Sequence, residues 1–401
     1  MGSPIRPLAD HGGPLMRIGL AADLHLDCRL GRLTDAAGVN LRSLDFEAAT
    51  ERVVDGLIRD QVDAVAILGD LFDIPRPSER SRQALVRAIR RLAAGLPGAP
   101  IILMRGNHDA APGFLAGTAV GTTALALPEV IVADAYEVRT VELADDVVLT
   151  LIPWMRSDEE FLSAIFGLDP VPGKHNLLLL HCGLADLPEF AESRPGSQVL
   201  TRALLPEGFE EIFSGHFHGH HKFPGLHFTF IGSPERLSVS EATDPKGYCI
   251  YDTTKRKLTF RPITTRSWYD PEVIDATGLD AAAITEKVES LISALPDYGQ
   301  AIVRLRVRRV APEVRPALDW ARLTKLRAAA FYCDLQIEAA DANAPVSGAD
   351  LETDPTDGPI LGDLVGEWEH WVGTLDRDPV ERAALARLGS DALIAAAGAK
   401  S

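Results

Sequence analysis

Short apolar runs alternate with longer amphipathic stretches over the first two-thirds of the chain. The runs occupy 16–22, 64–68, 101–104, 147–152, 176–180 and 227–231, with a weaker candidate at 211–213. Four to seven residues of this kind suit a strand covered on both faces. Between the early runs, 46–60 places Ala49, Val53, Leu57 and Ile58 on one helical face, and 81–92 does so with Leu85, Ala88, Ile89 and Leu92. That alternation predicts a layered α/β domain. After Trp268 the pattern changes to helix over 281–295, strand over 301–310, helix over 321–330 and strand over 331–338, a small α+β unit. Residues 341–359 hold five Pro or Gly and five acids with no apolar period, which predicts an acidic linker. Two helical patterns return over 360–398. The predicted organisation is a tail over 1–15, a main domain over 16–266, a smaller domain over 267–340, the linker over 341–359 and a helical tail over 360–401.

Composition narrows the class. A chain of 401 residues that is 46% hydrophobic and 24% charged has ample material for a core, which excludes disorder as its main state. No run reaches the roughly 18 apolar residues of a membrane span. Residues 1–15, with Pro4, Asp10, Gly12 and Gly13, lack the apolar centre of a signal peptide and read as a disordered tail ahead of Met16. Cys28, Cys182, Cys249 and Cys333 form no CxxC pair and read as reduced thiols of a cytoplasmic protein. A net charge of −17 argues against nucleic acid when taken globally. The charge is uneven, however. Residues 328–376 carry eleven acids and no Lys or Arg, whereas 299–327 carry eight basic residues against two acids.

The chemistry gathers where the strands end. The first run leads into Asp23-Leu24-His25, the second into Gly69-Asp70-Leu71-Phe72-Asp73, and the third into Gly106-Asn107-His108-Asp109. Later runs lead into His181 and into Gly215-His216-Phe217-His218. Ligands of open α/β sheets collect beyond the carboxyl ends of strands. Five such ends delivering Asp, Asn and His predict a metal site, and that thiolate-free set suits Mn²⁺, Fe²⁺ or Zn²⁺. An extended segment would aim Asp23 and His25 the same way, onto one ion. Gly69 and Gly106 would let the backbone turn tightly before a ligand. Two ions about 3.5–4 Å apart form the clamp that in-line phosphoryl displacement needs.

Over residues 16–265 these motifs resemble the calcineurin-like metallophosphoesterases. The resemblance implies a β-sandwich flanked by helices and two divalent metals, Mn²⁺ foremost. It would give Asp23, His25 and His218 to one metal, Asn107, His181 and His216 to the other, and Asp70 to both. His108 would act in catalysis without ligating, and Asp73 and Asp109 would orient neighbours. Leu71-Phe72-Asp73, Gly232-Ser233-Pro234-Glu235-Arg236 and Lys246-Gly247-Tyr248 are further similar to SbcD-type nuclease subunits. That likeness implies a DNA nuclease, exonucleolytic with endonucleolytic cleavage also open to it. It also implies a small α+β capping domain on DNA, a C-terminal helical tail docked on an SbcC-type coiled-coil ABC ATPase, and a homodimer. Asp73 stands where many end-processing relatives have His. His220 and His221, two further imidazoles, read as outer or exposed groups.

In the 301–310 strand, Arg304, Arg306 and Arg308 share one face and Arg309 follows them. That density predicts phosphate contacts that position a duplex without reading bases. Two other readings stay open at this level. One is a phosphoesterase for a phosphoprotein or a cyclic nucleotide; the other is a non-catalytic scaffold for the ATPase.

Overall fold

A computed structural model describes residues 16–340 other than 32, 111–117, 128–129, 145, 188–189 and 191–197, together with Arg387. The tail over 1–15, the linker over 341–359 and, Arg387 apart, the helical tail over 360–401 lie outside the described residues. In chain order the elements begin β1 (Arg17–Ala21), α1 (Leu41–Arg59), β2 (Ala64–Leu68), α2 (Glu79–Gly95), β3 (Ile101–Met104), α3 (Ala119–Ala124) and β4 (Val130–Ala133). There follow β5 (Arg139–Ala144), β6 (Val147–Ile152), α4 (Asp158–Phe166), β7 (His175–His181), β8 (Gly183–Leu184), β9 (Val199–Leu200), β10 (Glu211–Gly215), β11 (His221–Phe223) and β12 (Phe228–Phe230). The rest are β13 (Gly247–Asp252), β14 (Lys257–Pro262), β15 (Trp268–Tyr269), β16 (Ile274–Asp275), α5 (Ala281–Ala294), β17 (Ile302–Val310), α6 (Trp320–Ala329) and β18 (Tyr332–Ala339).

Two six-stranded sheets carry the site. One runs β14-β13-β1-β2-β3-β4 and the other β11-β12-β10-β7-β6-β5. Strand periodicity explains how they stack. Ile18, Leu20, Ala64, Ala66, Leu68, Ile102 and Met104 of the first sheet meet Leu149, Leu151, Leu177, Leu179 and Phe213 of the second in one buried cluster. The intervening residues Ala21, Val65, Ile67, Ile101 and Leu103 turn the other way, onto Val53, Leu57, Leu85, Ile89 and Leu92 of α1 and α2. On the far side, Leu178 and Leu180 pack with Phe161 and Ile165 of α4. The architecture is an α/β sandwich with helices on its outer faces. Its two central sheets are why the apolar runs are unbroken instead of alternating.

Several elements carry weaker sequence patterns. The amphipathic edge strand β5, the antiparallel pair β13–β14 and the short helix α4 appear in addition to the apolar runs. Residues 268–339 form a third sheet, with β17 parallel to β15, β16 and β18 and packed on α5 and α6 through Ile284, Val288, Val303, Leu305, Val307 and Leu323. Along β17, Arg304, Arg306 and Arg308 are half-buried on one face while Val303, Leu305 and Val307 are buried on the other. Arg309 does not extend that row. The register shifts between Val307 and Val310, Arg309 takes φ 61°, and its guanidinium pairs with Asp275.

Candidate metal centre

One edge of the sandwich receives side chains from both sheets. β1 ends two residues before Asp23, β2 two before Asp70, and β3 three before Asn107; His181 closes β7 and His216 follows β10 directly. Ligand atoms of His25, Asp70 and His108 lie within 4.8 Å of one another, and so do those of Asp70, His181 and His216. Asp70 belongs to both groups. Asn107 Oδ1 adds a fourth atom to the second, 2.9 Å from His181 Nε2 and 2.9 Å from His216 Nδ1. In the first, His25 Nε2 stands 3.6 Å from Asp70 Oδ2, and the His218 ring packs edge-on to His25 with centroids 5.0 Å apart. Asp23 accepts the His216 backbone N–H at 2.9 Å on Oδ1.

The rings are held from behind. His181 Nδ1 donates to the Leu68 carbonyl at 2.8 Å and His108 Nδ1 to the Asp73 carbonyl at 2.7 Å. A carbonyl can only accept, so both rings present Nε2 as the free nitrogen. His25 Nδ1 lies 3.1 Å from Asp73 Oδ1, and His218 Nδ1 lies 3.1 Å from Glu241 Oε1. Asp109, fully buried, accepts the backbone N–H groups of Leu71, Phe72 and Gly106 at 3.2, 3.0 and 2.9 Å, which ties the loop after β2 to the loop after β3.

These residues fit a pair of divalent cations. Asp23 Oδ2 and His25 Nε2 are buried with no hydrogen-bond partner, an arrangement that costs free energy unless something else binds them. Charge points the same way. Burial would raise the Asp70 carboxyl, but the surrounding His181, His25 and His108 rings hold it well below the ordinary range. Burial would lower His181, yet the neighbouring Asp70 and Asp23 push it up to about 9. His216, buried and beside His181, is pushed down to about 3. Burial, then the nearby Asp70, drives Asp109 up to about 7 against its three N–H bonds. Buried carboxylates that hold a proton on His181 leave the centre short of positive charge.

The route by which Asp23 and His25 reach the centre differs from the extended-strand expectation. Both adopt left-handed backbone, with φ 53° and 43°, and Asp70 and His216 do the same at 47° and 82°. Each non-glycine residue held there stores roughly 1–3 kcal/mol of strain. Backbone bonds from Asp23 N–H to Gly69 at 3.1 Å and from His25 N–H to Asp70 at 2.9 Å hold the segment in place. The two glycines act differently from each other. Gly69 has φ 84° and a Cβ there would overlap the His181 ring, whereas Gly106 lacks a positive φ and is small because a Cβ would strike Asp70.

Arg304, Arg306 and Arg308 are not brought to this centre. Each faces a carboxylate: Asp334 at 4.0 Å, Asp270 at 2.9 Å and Glu338 at 3.3 Å. His220 stacks on Phe260 and bonds to the Phe230 carbonyl, and His221 is exposed. Sequence reasoning assigned no role to Trp154, whose ring centroid lies 5.4 Å from that of His216, or to Arg105, which heads the third strand-end motif and is buried with its guanidinium on the Trp154 and Asp134 carbonyls. Trp154 follows β6, so it too stands at a strand end, but it is no ligand type.

Residues 16–220 match the family described as calcineurin-like phosphoesterase. The chain belongs to that family. Among curated relatives, the DNA double-strand break repair protein Mre11 of Sulfurisphaera tokodaii is 25% identical over 54% of this chain and 55% of its own length. The protein of the same name from Haloferax volcanii is 29% identical over 69% of this chain and 59% of its own length. The D component of the nuclease SbcCD from Staphylococcus saprophyticus is 24% identical over 68% of this chain and 75% of its own length. The chain thus spans less than two-thirds of the length of both Mre11 relatives. Among the described residues no helix is long and apolar enough to cross a membrane.

Proposed function

We propose that this phosphoesterase is a two-metal DNA nuclease that hydrolyses phosphodiester bonds in break repair. It would work on ends as an exonuclease, with endonucleolytic cleavage also open to it. The observation that carries the reading is Asp70, whose carboxylate is common to two groups of ligand atoms at one sheet edge. Two bound divalent ions, Mn²⁺ foremost, would supply an activated water and neutralise charge on the phosphoryl group. Asp23, His25 and His218 would hold one, Asn107, His181 and His216 the other, and Asp70 both. His108 is kept for proton transfer on the family resemblance; its ring is half-buried, as are those of His216 and His218. With Nδ1 donating to the Asp73 carbonyl, its Nε2 is free to take up a proton and then pass that proton to a leaving oxygen. The names of the relatives, break-repair proteins and a nuclease component, support DNA as the substrate.

In this reading, residues 267–340 serve as a cap whose Arg304, Arg306 and Arg308 contact phosphate, and 360–401 dock on an SbcC-type coiled-coil ATPase. The protein acts as a homodimer. Four unpaired thiols, Cys28, Cys182, Cys249 and Cys333, support a cytoplasmic setting. The carboxylates facing the three arginines favour a second reading, a phosphoesterase for a smaller phosphodiester. The test is cleavage of linear duplex, short single-stranded DNA and a cyclic nucleotide with Mn²⁺, with chelator, and with Asp70→Asn. DNA cleavage abolished by chelator and by Asp70→Asn, together with metal content falling in the variant, is expected. Turnover of the cyclic nucleotide alone would replace the nuclease reading with the second one.

A further inference from the structure

Behind His218 lies a buried charge network that the ligand set does not require. The Lys246 side chain has no exposure, and its Nζ donates to the His218 carbonyl at 3.0 Å, to Ser233 Oγ at 3.1 Å and to Glu241. Glu241 turns its other oxygen, Oε1, to His218 Nδ1 at 3.1 Å. A buried ion pair contributes little net stability over an apolar pair of the same volume. Its place against a ligand ring therefore points to orientation as its task.

The network continues away from the metal edge. Arg236 donates Nε to the Glu241 carbonyl at 3.0 Å and its terminal nitrogens to the Asp244 carbonyl at 2.8 Å, to Thr265 Oγ1 and to the Arg266 carbonyl at 3.3 Å. Thr265 and Arg266 are the segment by which the chain enters β15 and the third sheet. Arg266 lies over the Phe331 ring at 3.4 Å, donates to the Gln300 carbonyl at 2.7 Å and pairs with Asp45 at 2.7 Å. One continuous set of bonds thus joins a candidate ligand ring to the entry of the third sheet.

We propose that Glu241 is a positioning residue that orients His218 for its cation, and that Arg236 couples cation binding to the seating of the third sheet on the sandwich. The inference rests on the two-metal reading. The ring nitrogen opposite the ligating one is where a carboxylate fixes tautomer and orientation. Linkage makes the coupling reciprocal: whatever seats the third sheet more firmly tightens the cation, and the reverse.

The test is Mn²⁺ binding to the full chain by calorimetry and by electron paramagnetic resonance of bound and free ion, beside hydrogen exchange over 265–269. Glu241→Ala with Lys246→Met, which leaves no buried charge unpaired, should weaken one of two sites by about 10–100-fold and spare the other. Glu241→Gln with Lys246→Met should restore most of that loss, because the amide oxygen can still accept from Nδ1. Arg236→Met should weaken the same site by a smaller factor, and Mn²⁺ should slow exchange over 265–269 in wild type but not in this variant. Two unaltered sites in a folded Glu241→Ala, Lys246→Met protein would overturn the positioning role. Faster exchange in Arg236→Met with unaltered Mn²⁺ affinity would overturn the coupling. If the double variant does not fold, Arg236→Met decides the coupling, and Glu241→Asp, which draws the carboxylate back from His218 Nδ1, decides the positioning: it should weaken the same site, and two unaltered sites would overturn that role. Wild type that binds no Mn²⁺ would fail the two-metal reading itself, whatever the variants do.

Discussion

Replacing His108 by alanine should separate catalysis from ligation, and the structure sets the size of each effect. The contact between this residue and the shared carboxylate is made by its backbone: the His108 N–H donates to Asp70 Oδ1 at 2.8 Å and survives the substitution. The side chain loses one hydrogen bond, from Nδ1 to the Asp73 carbonyl, and an edge-to-face contact with His25 at 4.8 Å between centroids. One hydrogen bond of a half-buried ring is worth about 1 kcal/mol, so folding should tolerate the change. Loss of a general acid typically costs 10²–10⁴-fold in rate, roughly 3–5 kcal/mol in the barrier. Single-turnover cleavage of end-labelled DNA, with metal content measured on the same preparation, reads both quantities. Expected is a protein with two bound ions and turnover reduced by that factor. The geometry also sets the refuting result, since the His108 ligand atom stands within 4.8 Å of those of His25 and Asp70. Loss of one ion in proportion to activity would make His108 a ligand. Full turnover with both ions bound would leave it no role in the chemistry.

Gly69→Ala should lose metal at the His181 side and melt lower, because φ 84° disfavours a side chain and the new Cβ enters the His181 ring; at least ~1 kcal/mol of destabilisation follows from the backbone alone. On the third sheet, changing Arg304, Arg306 and Arg308 together to Ala should lower the log–log salt slope of duplex binding by about 0.9 per lost contact. The converse triple change, Asp270→Asn, Asp334→Asn and Glu338→Gln, should tighten duplex binding by freeing those guanidinium groups, and an unchanged affinity in both would make this face merely solvated. Deleting 360–401 should abolish co-purification with a coiled-coil ATPase while metal-dependent cleavage of short single-stranded DNA persists. Precipitation of the shortened chain would place those helices in the core instead.

What could be read in the sequence was the sandwich interior and the place of the chemistry. Ala64–Leu68 and Ile101–Met104 are buried on both faces, so nothing polar interrupts them, and the residues just past their ends were visible as a group. Elements with one covered face were harder to see. In β5 only Val141 and Leu143 are buried, and α4 buries Phe161 and Ile165 alone, although its start was signposted by Ser157 and three following acids. β13 mixes Gly247, two tyrosines, Cys249 and Asp252, too varied in character to read as a run. The left-handed backbone at Asp23 and His25 left no mark, since neither residue is glycine and the conformation is imposed by bonds to the loop after β2. Nor did the acids opposite Arg304, Arg306 and Arg308. Asp270 follows β15 and Asp334 and Glu338 lie on β18, and pairing across a sheet is not written in local spacing.

Asp23, His25, Asp70 and Asn107 follow strands of one sheet and His181, His216 and His218 close or follow strands of the other, with His181 bonded across the gap to the Leu68 carbonyl. A cation shared between those two sets would be a rivet through the layers of the sandwich as well as a reagent. Two layers that meet through side chains alone can shear a little; joined by a rivet at one edge, they can only pivot about it. Holding metal would then stiffen the molecule far from the chemistry and raise its resistance to unfolding by RT ln(1 + [M]/Kd), about 4 kcal/mol at a thousandfold excess over Kd. A cell that starves this protein of metal would withdraw the reagent and also return the protein to a looser body, one more open to proteolysis. Supply and turnover of the protein would in that way be governed by the same ion.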